Sequence, residues 1–378
     1  MRVLFTAVPI HGHLLPLLPL AEAVGAAGDE AAVAAPPALA GLVGGLPVLY
    51  AGPGMADLLA ENDRRTGGAA MHEDVAPVAE LFAGTLVDVT FRATLERARA
   101  FGAQVVVADE YDTIGPMIAA TLGVPLVRHA IGLPVSPPAL GPAMEARLAP
   151  RYAALGLTRP DRVALVDPWP RALQPEGWTP APDRLPIRPK VYAGSGPADV
   201  PPPGEGQADV PPPGSRPRVL ITLGTVLLDA DMLDALVDAV AAIDTVDVLA
   251  AVPPGVEHTL IDERANVRFI GFVPMARLLA SGVSAIVAAG GAGTVLAAMG
   301  HGIPMVLWPK GAEKPMNAER VAAAGAGIVV DDPVRSAEAV REVLTSPVYR
   351  LSAERIAAQL RAAPEPAQVW RTLRARLR

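Results

Sequence analysis

Residues 284–330 constrain the fold of this chain more than any other stretch; they read SAIVAAGGAGTVLAAMGHGIPMVLWPKGAEKPMNAERVAAAGAGIVV. The apolar run 285–289 has the length and composition of a strand buried on both faces. Gly290, Gly291 and Gly293 then supply a turn, and Thr294 opens an apolar segment, 295–299, that continues as a helix. The unit repeats as strand 304–308, polar loop 309–315, helix 316–324, a stop at Gly325 and strand 327–330. This βαβαβ order is half of a doubly wound parallel sheet. Strand, glycine turn and helix is also the order that a phosphate site requires. Glycines let the backbone approach an oxyanion closely, and the first N–H groups of a helix lack internal partners at the positive end of its dipole.

The amino-terminal half shows the same alternation. Residues 2–8 are apolar apart from Arg2 and Thr6 and alternate poorly, as a central parallel strand does. His11, Gly12 and His13 form a turn, and 14–27 reads as a helix with Pro16 tolerated in its first turn and Gly28 ending it. Strands are expected at 31–35, 47–50, 104–108 and 125–129, with helices at about 75–100 and 113–122. Residues 52–71, rich in glycine and charge and without a clear period, read as a mobile loop. From 134 to 189 proline is frequent enough to argue against long regular elements. ADVPPPG occurs twice, at 198–204 and 208–214; triple prolines favour extended polyproline II, so this repeat is a semi-stiff linker. Beyond it come strand 218–223, helix 230–243, strands 246–252 and 267–270, and helix 275–281, with 333–378 mainly helical. The resulting division is an amino-terminal domain 1–194, a linker 195–217 and a carboxy-terminal domain 218–378, both domains Rossmann-like.

With 378 residues, 51% of them hydrophobic, the chain can bury two cores. A net charge of −7 gives no overall attraction to nucleic acid or anionic lipid. The basic tail Arg371, Arg374, Arg376 and Arg378 reads as a solvated helix face. The absence of cysteine excludes disulfides, zinc–thiolate sites and a cysteine nucleophile, and suits the cytoplasm. The uncharged stretch 31–52 is broken by Pro36, Pro37, Pro47 and several glycines, so no membrane span is expected there. His11 and His13 interrupt the initial apolar run before it reaches the core of a signal peptide.

GGAGTVLAA, the loop after it and NAERVAAAGAG resemble the donor-binding segment of family 1 glycosyltransferases, in the bacterial branch that decorates antibiotics and other natural products. The resemblance extends to the amino terminus and most of the chain between. It implies the GT-B fold, two Rossmann-like doubly wound domains facing a cleft, with the last helix crossing back onto the first domain. It also implies an inverting, metal-independent transfer of a sugar to a hydroxyl of an apolar acceptor. The sugar comes from a nucleoside diphosphate that is a co-substrate, not a resident cofactor. A reading from another class stands beside it: a GT-B protein with a decayed sugar-nucleotide site, serving as an auxiliary partner or catalysing a different reaction on a natural product.

Sugar transfer needs one base and a cluster of oxyanion donors. Gly12-His13-Leu14-Leu15-Pro16 matches the family's GHxxP, which implies that His13 is the base; read without the resemblance, His13 is a cap of the helix that follows, and the family match reverses that reading. Asp109, beside Glu110 at the end of strand 104–108, is placed as the family's carboxylate partner, which holds the histidine tautomer; alternatively the pair is a helix cap. His72, His129, His258 and His301 read as surface or loop residues. The resemblance implies that Gly290, Gly291, Gly293 and Thr294 hold the diphosphate and that Thr225 gives a second phosphate contact. Phe272 would stack on the nucleobase, the Val273 backbone would read its edge, and Asn317 belongs to the donor segment. The bland alternatives are turns for the glycines and core packing for Phe272.

Three residues depart from the family pattern. Ala289 replaces the histidine of HGGxGT, and Glu313-Lys314 replaces an Asp-Gln pair that bonds sugar hydroxyls. Glu313 can still accept from hydroxyls, whereas Lys314 adds a cation that either compensates for Ala289 or pairs with an acidic sugar. Ala297 stands where plant relatives carry a ribose-binding glutamate, which favours thymidine over uridine diphosphate. The acceptor is expected in the first domain, near 52–71, 130–144 and the end of strand 125–129. At 4% aromatic residues, no extensive stacking platform for flat acceptors is expected. Asp229-Ala230-Asp231 matches a metal-binding DxD but reads as a helix cap, and no metal site is expected. No Walker loop or full G-x-G-x-x-G is present. The expected partners are the donor and the small-molecule acceptor, with a homodimer as one expected assembly.

Overall fold

The computed structural model describes residues 1–68, 75–133, 139–194, 210–212, 214–224, 230–252, 264–271 and 273–378. The chain forms two compact units. The first comprises Met1–Pro168, Thr179–Arg188 and Pro364–Arg378, and the second Trp169–Trp178 and Pro189–Ala363. Residues 169–178 and 189–194, read from sequence as part of the first domain, therefore belong with the second unit.

The first unit is built on seven strands, β1 (Arg2–Thr6), β2 (Glu30–Ala35), β3 (Val48–Tyr50), β4 (Val105–Asp109), β5 (Leu126–His129), β6 (Arg162–Asp167) and β7 (Arg184–Pro186). They pair in parallel in the order β3-β2-β1-β4-β5-β6-β7. Successive side chains of a strand face opposite ways. Val3, Phe5, Val105 and Val107 accordingly enter one core, while Leu4, Val106 and Ala108 enter the other. Burial on both faces explains why these strands show no alternation of polarity. Strand order reverses between β1 and β4, and open α/β sheets bind ligands beyond the carboxyl ends of strands at such a point.

Three stretches differ from the sequence reading. Within 52–71, Met55–Thr66 is a helix, started at Gly54 and closed by Gly67 at φ 71°. Its buried positions are Leu58 and Asn62, and a buried polar residue hides the apolar period. Between 134 and 189 lie a helix, Leu140–Ala154, and the strands β6 and β7. Pro142 falls in the first turn of that helix, where no N–H is needed, and only Pro150 lies inside it. The helix expected at 14–27 is split into His11–Leu14, a 3-10 turn at Leu15–Leu17 and Leu18–Ala26, with Pro16 and Pro19 each opening a segment.

The last helix, Pro366–Arg376, packs on the first unit through Val369, Trp370 and Leu373. The Trp370 indole donates to Asp29 Oδ2 at 3.0 Å, and Arg374 Nε lies 3.3 Å from the same oxygen. Arg374 is thus tied down, while Arg371, Arg376 and Arg378 are exposed.

The second unit carries β8 (Arg218–Thr222), β9 (Asp247–Ala251), β10 (Val267–Ile270), β11 (Val283–Ala288), β12 (Met305–Leu307) and β13 (Gly327–Val329). Their order is β10-β9-β8-β11-β12-β13, again parallel. The switch point here lies between β8 and β11, so the glycine turn after β11 emerges where ligands are held in such sheets. Most of the ADVPPPG repeat lies outside the described residues. The guanidinium of buried Arg218 donates to the carbonyls of Pro211, Pro212 and Ser281, which anchors the described end of the repeat to β8. Among the described residues no helix is long and apolar enough to cross a membrane.

Candidate active site

β1 delivers the chain to His13 through Val8, Gly12 and the short helix His11–Leu14, and neighbouring β4 ends on Asp109. His13 Nδ1 lies 3.1 Å from Asp109 Oδ1. Asp109 is fully buried. Its Oδ2 accepts from Val8 N at 2.7 Å, and its Oδ1 from Tyr111 N at 2.7 Å and Asp112 N at 3.1 Å. Burial alone would raise the Asp109 carboxyl, but the His13 ring and the N–H groups of Val8 and Tyr111 outweigh it and hold the group below the ordinary aspartate range. A carboxylate only accepts, so Nδ1–H is the donor and Nε2 keeps a free lone pair. The ring is 12% exposed. This is the arrangement of a general base with its tautomer fixed.

Two aromatic side chains that the sequence reading did not single out border this imidazole. Phe82 stacks at 6.5 Å between centroids and Tyr111 meets it edge-on at 5.7 Å. Tyr111 has a sequence signal, two positions after Asp109; Phe82 has none, because its helix reaches His13 only through tertiary packing. His129, read as a surface or loop residue, is buried on β5. Burial pushes its imidazole down to about 4. His301 is exposed, its Nδ1 2.9 Å from the Ala297 carbonyl, and His72 and His258 lie outside the described residues.

Glu110 points away from solvent, and its Oε2 has no hydrogen-bond partner among the described residues. Burial raises its carboxyl to about 7, with nearby Arg128 opposing and Asp167 adding to the rise. The native state then keeps a proton that the unfolded chain, with a glutamate near 4.3, has lost. The contribution of Glu110 to stability therefore falls as pH rises from about 4 to 7 and levels off above. Glu110→Gln cannot ionise and is expected to be more stable than wild type by about 3 kcal/mol at pH 8, with the gain gone by pH 4. Urea unfolding at both pH values checks this, and a gain independent of pH would contradict it.

In the second unit, β11 runs into Ala289, Gly290 and Gly291, and the helix Ala292–Gly300 follows. Gly291 caps it without a side chain, and the first helical bond runs from Val295 N to Gly291 O at 3.0 Å. The N–H groups of Gly293 and Thr294 precede that bond and face out of the helix end. Gly290 adopts φ 90°, and a Cβ there would come within 3.1 Å of the Lys314 carbonyl. Buried Asn317 donates to Gly290 O at 2.9 Å. The turn is thus locked to the start of helix Lys314–Ala323, which Glu313 precedes as cap. Lys314 and Glu313 are half-buried. Ala289 is buried in the apolar core of this unit. Val273 lies half-buried ahead of helix Met275–Ala280, while Thr225 and Phe272 lie outside the described residues. The structure therefore brings His13 to Asp109 in one unit, and Gly290, Lys314 and Asn317 together in the other.

Residues 234–375 match the family described as Erythromycin biosynthesis protein CIII-like, C-terminal domain. The chain is 33% identical to the elloramycin glycosyltransferase of Streptomyces olivaceus, over 98% of this chain and 96% of that one. It is 32% identical to the L-demethylnoviosyl transferase of Streptomyces niveus, over 100% and 99% of the two chains. Among solved structures, the spinosyn rhamnosyltransferase complexed with thymidine diphosphate superposes with a TM-score of 0.80 at 28% identity, covering 99% of this chain and 100% of that one. A glycosyltransferase of Streptomyces nogalater gives a TM-score of 0.80 at 27% identity, covering 99% of each chain. Sequence shared with two transferases over nearly its whole length, on two parallel Rossmann-like sheets, makes this chain a member of the family 1 glycosyltransferases of the GT-B fold, in their antibiotic-biosynthesis branch.

Proposed function

We propose that the enzyme moves a sugar from a nucleoside diphosphate, dTDP, to a hydroxyl of a natural-product acceptor, with inversion and without a metal ion. The observation that carries this reading is the buried Asp109 carboxylate, which fixes His13 with Nε2 as the free base. The acceptor O–H passes its proton to Nε2 while its oxygen bonds to the anomeric carbon. The bond from that carbon to the β-phosphate oxygen breaks, and its electron pair leaves with the diphosphate. A single displacement of this kind inverts the carbon. Asp109 stabilises the imidazolium that forms, and the open N–H groups at Ala292–Gly300 suit the charge on the leaving group. Ala297 and the thymidine diphosphate complex of the spinosyn rhamnosyltransferase support dTDP as the carrier. A decayed donor site finds no support in a turn that keeps Gly290 locked by Asn317.

Lys314 takes the place of the missing histidine charge in this reading, since its backbone abuts Gly290. Calorimetric titration is expected to show thymidine diphosphate binding, with Lys314→Gln weakening it about tenfold or more, the loss of one charge-assisted contact, while thymidine itself binds unchanged. Absence of binding by thymidine and uridine diphosphates alike would remove the transferase reading; equal affinity in the variant would remove only the role of Lys314. Transfer unaffected by EDTA, and an inverted anomeric proton coupling in the product, are the further expected results.

A further inference from the structure

We infer that Arg128 is a positioning residue for His13, acting through one peptide group of the loop that follows β4. The inference deepens the glycosyl-transfer reading of His13, on which it rests. Arg128 stands on β5 opposite Ala108 of β4, and its guanidinium reaches the loop beyond that strand. Nη1 donates to the Asp112 carbonyl at 2.9 Å, and Nη2 donates to the Glu110 carbonyl. The Glu110 carbonyl shares a peptide group with the Tyr111 N–H, and in a planar trans peptide the two point opposite ways. Holding the carbonyl toward Arg128 therefore turns the N–H toward Asp109 Oδ1, 2.7 Å away. That oxygen is the one that faces His13 Nδ1. A continuous row thus runs from guanidinium through peptide and carboxylate to imidazole, in which each hydrogen bond polarises the next.

The loop needs such a tie. Asp109 and Asp112 are both fully buried, and burial together with the charge of Asp109 pushes the Asp112 carboxyl up. Arginine keeps its proton, so Arg128 sets a lasting positive charge beside these acids. Burial lowers its guanidinium, while Asp109, Asp112 and Glu110 pull the other way, in that order. The far end of the loop is pinned separately. Asp112 Oδ1 accepts from Ile114 N and its Oδ2 from Gly115 N, each at 2.9 Å. A methyl group on Gly115 would come within 2.6 Å of Ala108 Cβ, so helix Ile114–Leu122 seats tightly on β4. With both ends fixed, the Glu110–Tyr111 peptide can still rotate about its flanking soft dihedrals, and the Arg128 fork sets its direction. Turned the other way, it withdraws an N–H from Asp109 Oδ1 and offers that carboxylate an oxygen. The imidazole is then free to adopt the Nε2–H tautomer that histidine favours in water, which has no lone pair for an acceptor proton.

Nitrogen-15 NMR of the full chain, labelled in histidine and held at about pH 8.5, above the ordinary histidine range, reads the tautomer directly. The His13 signals are those absent from His13→Ala. In the wild type Nδ1 is expected to carry the proton and Nε2 none. Arg128→Gln is expected to lose that single form and show the two tautomers in comparable amounts. Arg128→Lys is expected to do the same, because a point charge does not replace the fork; either variant suffices should the other fail to fold. Leu373→Ala, a core truncation in the same unit, is expected to lower the urea midpoint and leave the His13 tautomer as in the wild type, which separates loss of this tie from loss of stability. A single Nδ1–H form kept in the Arg128 variants, or a mixture in Leu373→Ala equal to theirs, overturns the inference and leaves the base reading standing. A wild-type His13 with its proton on Nε2 removes the base reading, and the role of Arg128 with it.

Discussion

His13→Ala is expected to lower the rate of sugar transfer by a factor of about 10²–10⁴, the range contributed by a positioned general base. Nε2 is the imidazole nitrogen that the bond to Asp109 leaves open, and it is lost with the ring. His11 lies close in sequence, but burial lowers its imidazole. Thymidine diphosphate affinity is expected to be unchanged, because the glycine turn and Asn317 belong to the other unit. Release of thymidine diphosphate from a dTDP-sugar in the presence of a hydroxyl-bearing acceptor, followed by chromatography, measures the effect. Transfer at the wild-type rate would show that another group takes the proton.

Asp109→Asn is expected to damage both rate and stability. The carboxylate accepts from three backbone N–H groups as well as from His13. An amide presents a donor where one of its oxygens stood, so at least one buried N–H then faces another donor. The loss is about 3 kcal/mol, at the lower end of what removing one partner from a buried charge pair costs. The same change frees the imidazole tautomer, and a loss of transfer of about 10²-fold or more is expected.

The pH dependence separates the two roles. With its folded-state pKa held below the ordinary aspartate value, Asp109 contributes stability that is fully present above about pH 4. That contribution is lost as pH falls through the folded value. The stability gap between wild type and Asp109→Asn should therefore narrow on acidification below about pH 4. Urea unfolding across pH 3–7 checks it, and a gap constant with pH would show that the native carboxyl is not ionised.

Much of this enzyme was legible in the amino-acid order. The glycine turn after β11, the position of His13 past β1 and the βαβ alternation follow from local preferences, since apolar runs, helix starts and glycines each act within a few residues. The resemblance then pointed to His13 and Asp109 as a base and its carboxylate partner. Proline and buried polar residues misled where local rules conflict with packing. Asn62 hid the helix Met55–Thr66, and the prolines beyond 134 obscured Leu140–Ala154, β6 and β7.

What only the tertiary structure decided are relations between residues far apart in the chain. The four donors around Asp109 come from Val8, His13, Tyr111 and Asp112, and that convergence is what keeps the carboxylate charged in a buried setting. Phe82 reaches His13 from a π-turn some seventy residues away, and Asn317 locks Gly290 across the sheet's crossover. Sequence determines which segments form strands, turns and helices because those preferences are short-ranged. It leaves open which side chains meet, because burial, hydrogen-bond satisfaction and pKa depend on neighbours that only the packed fold supplies.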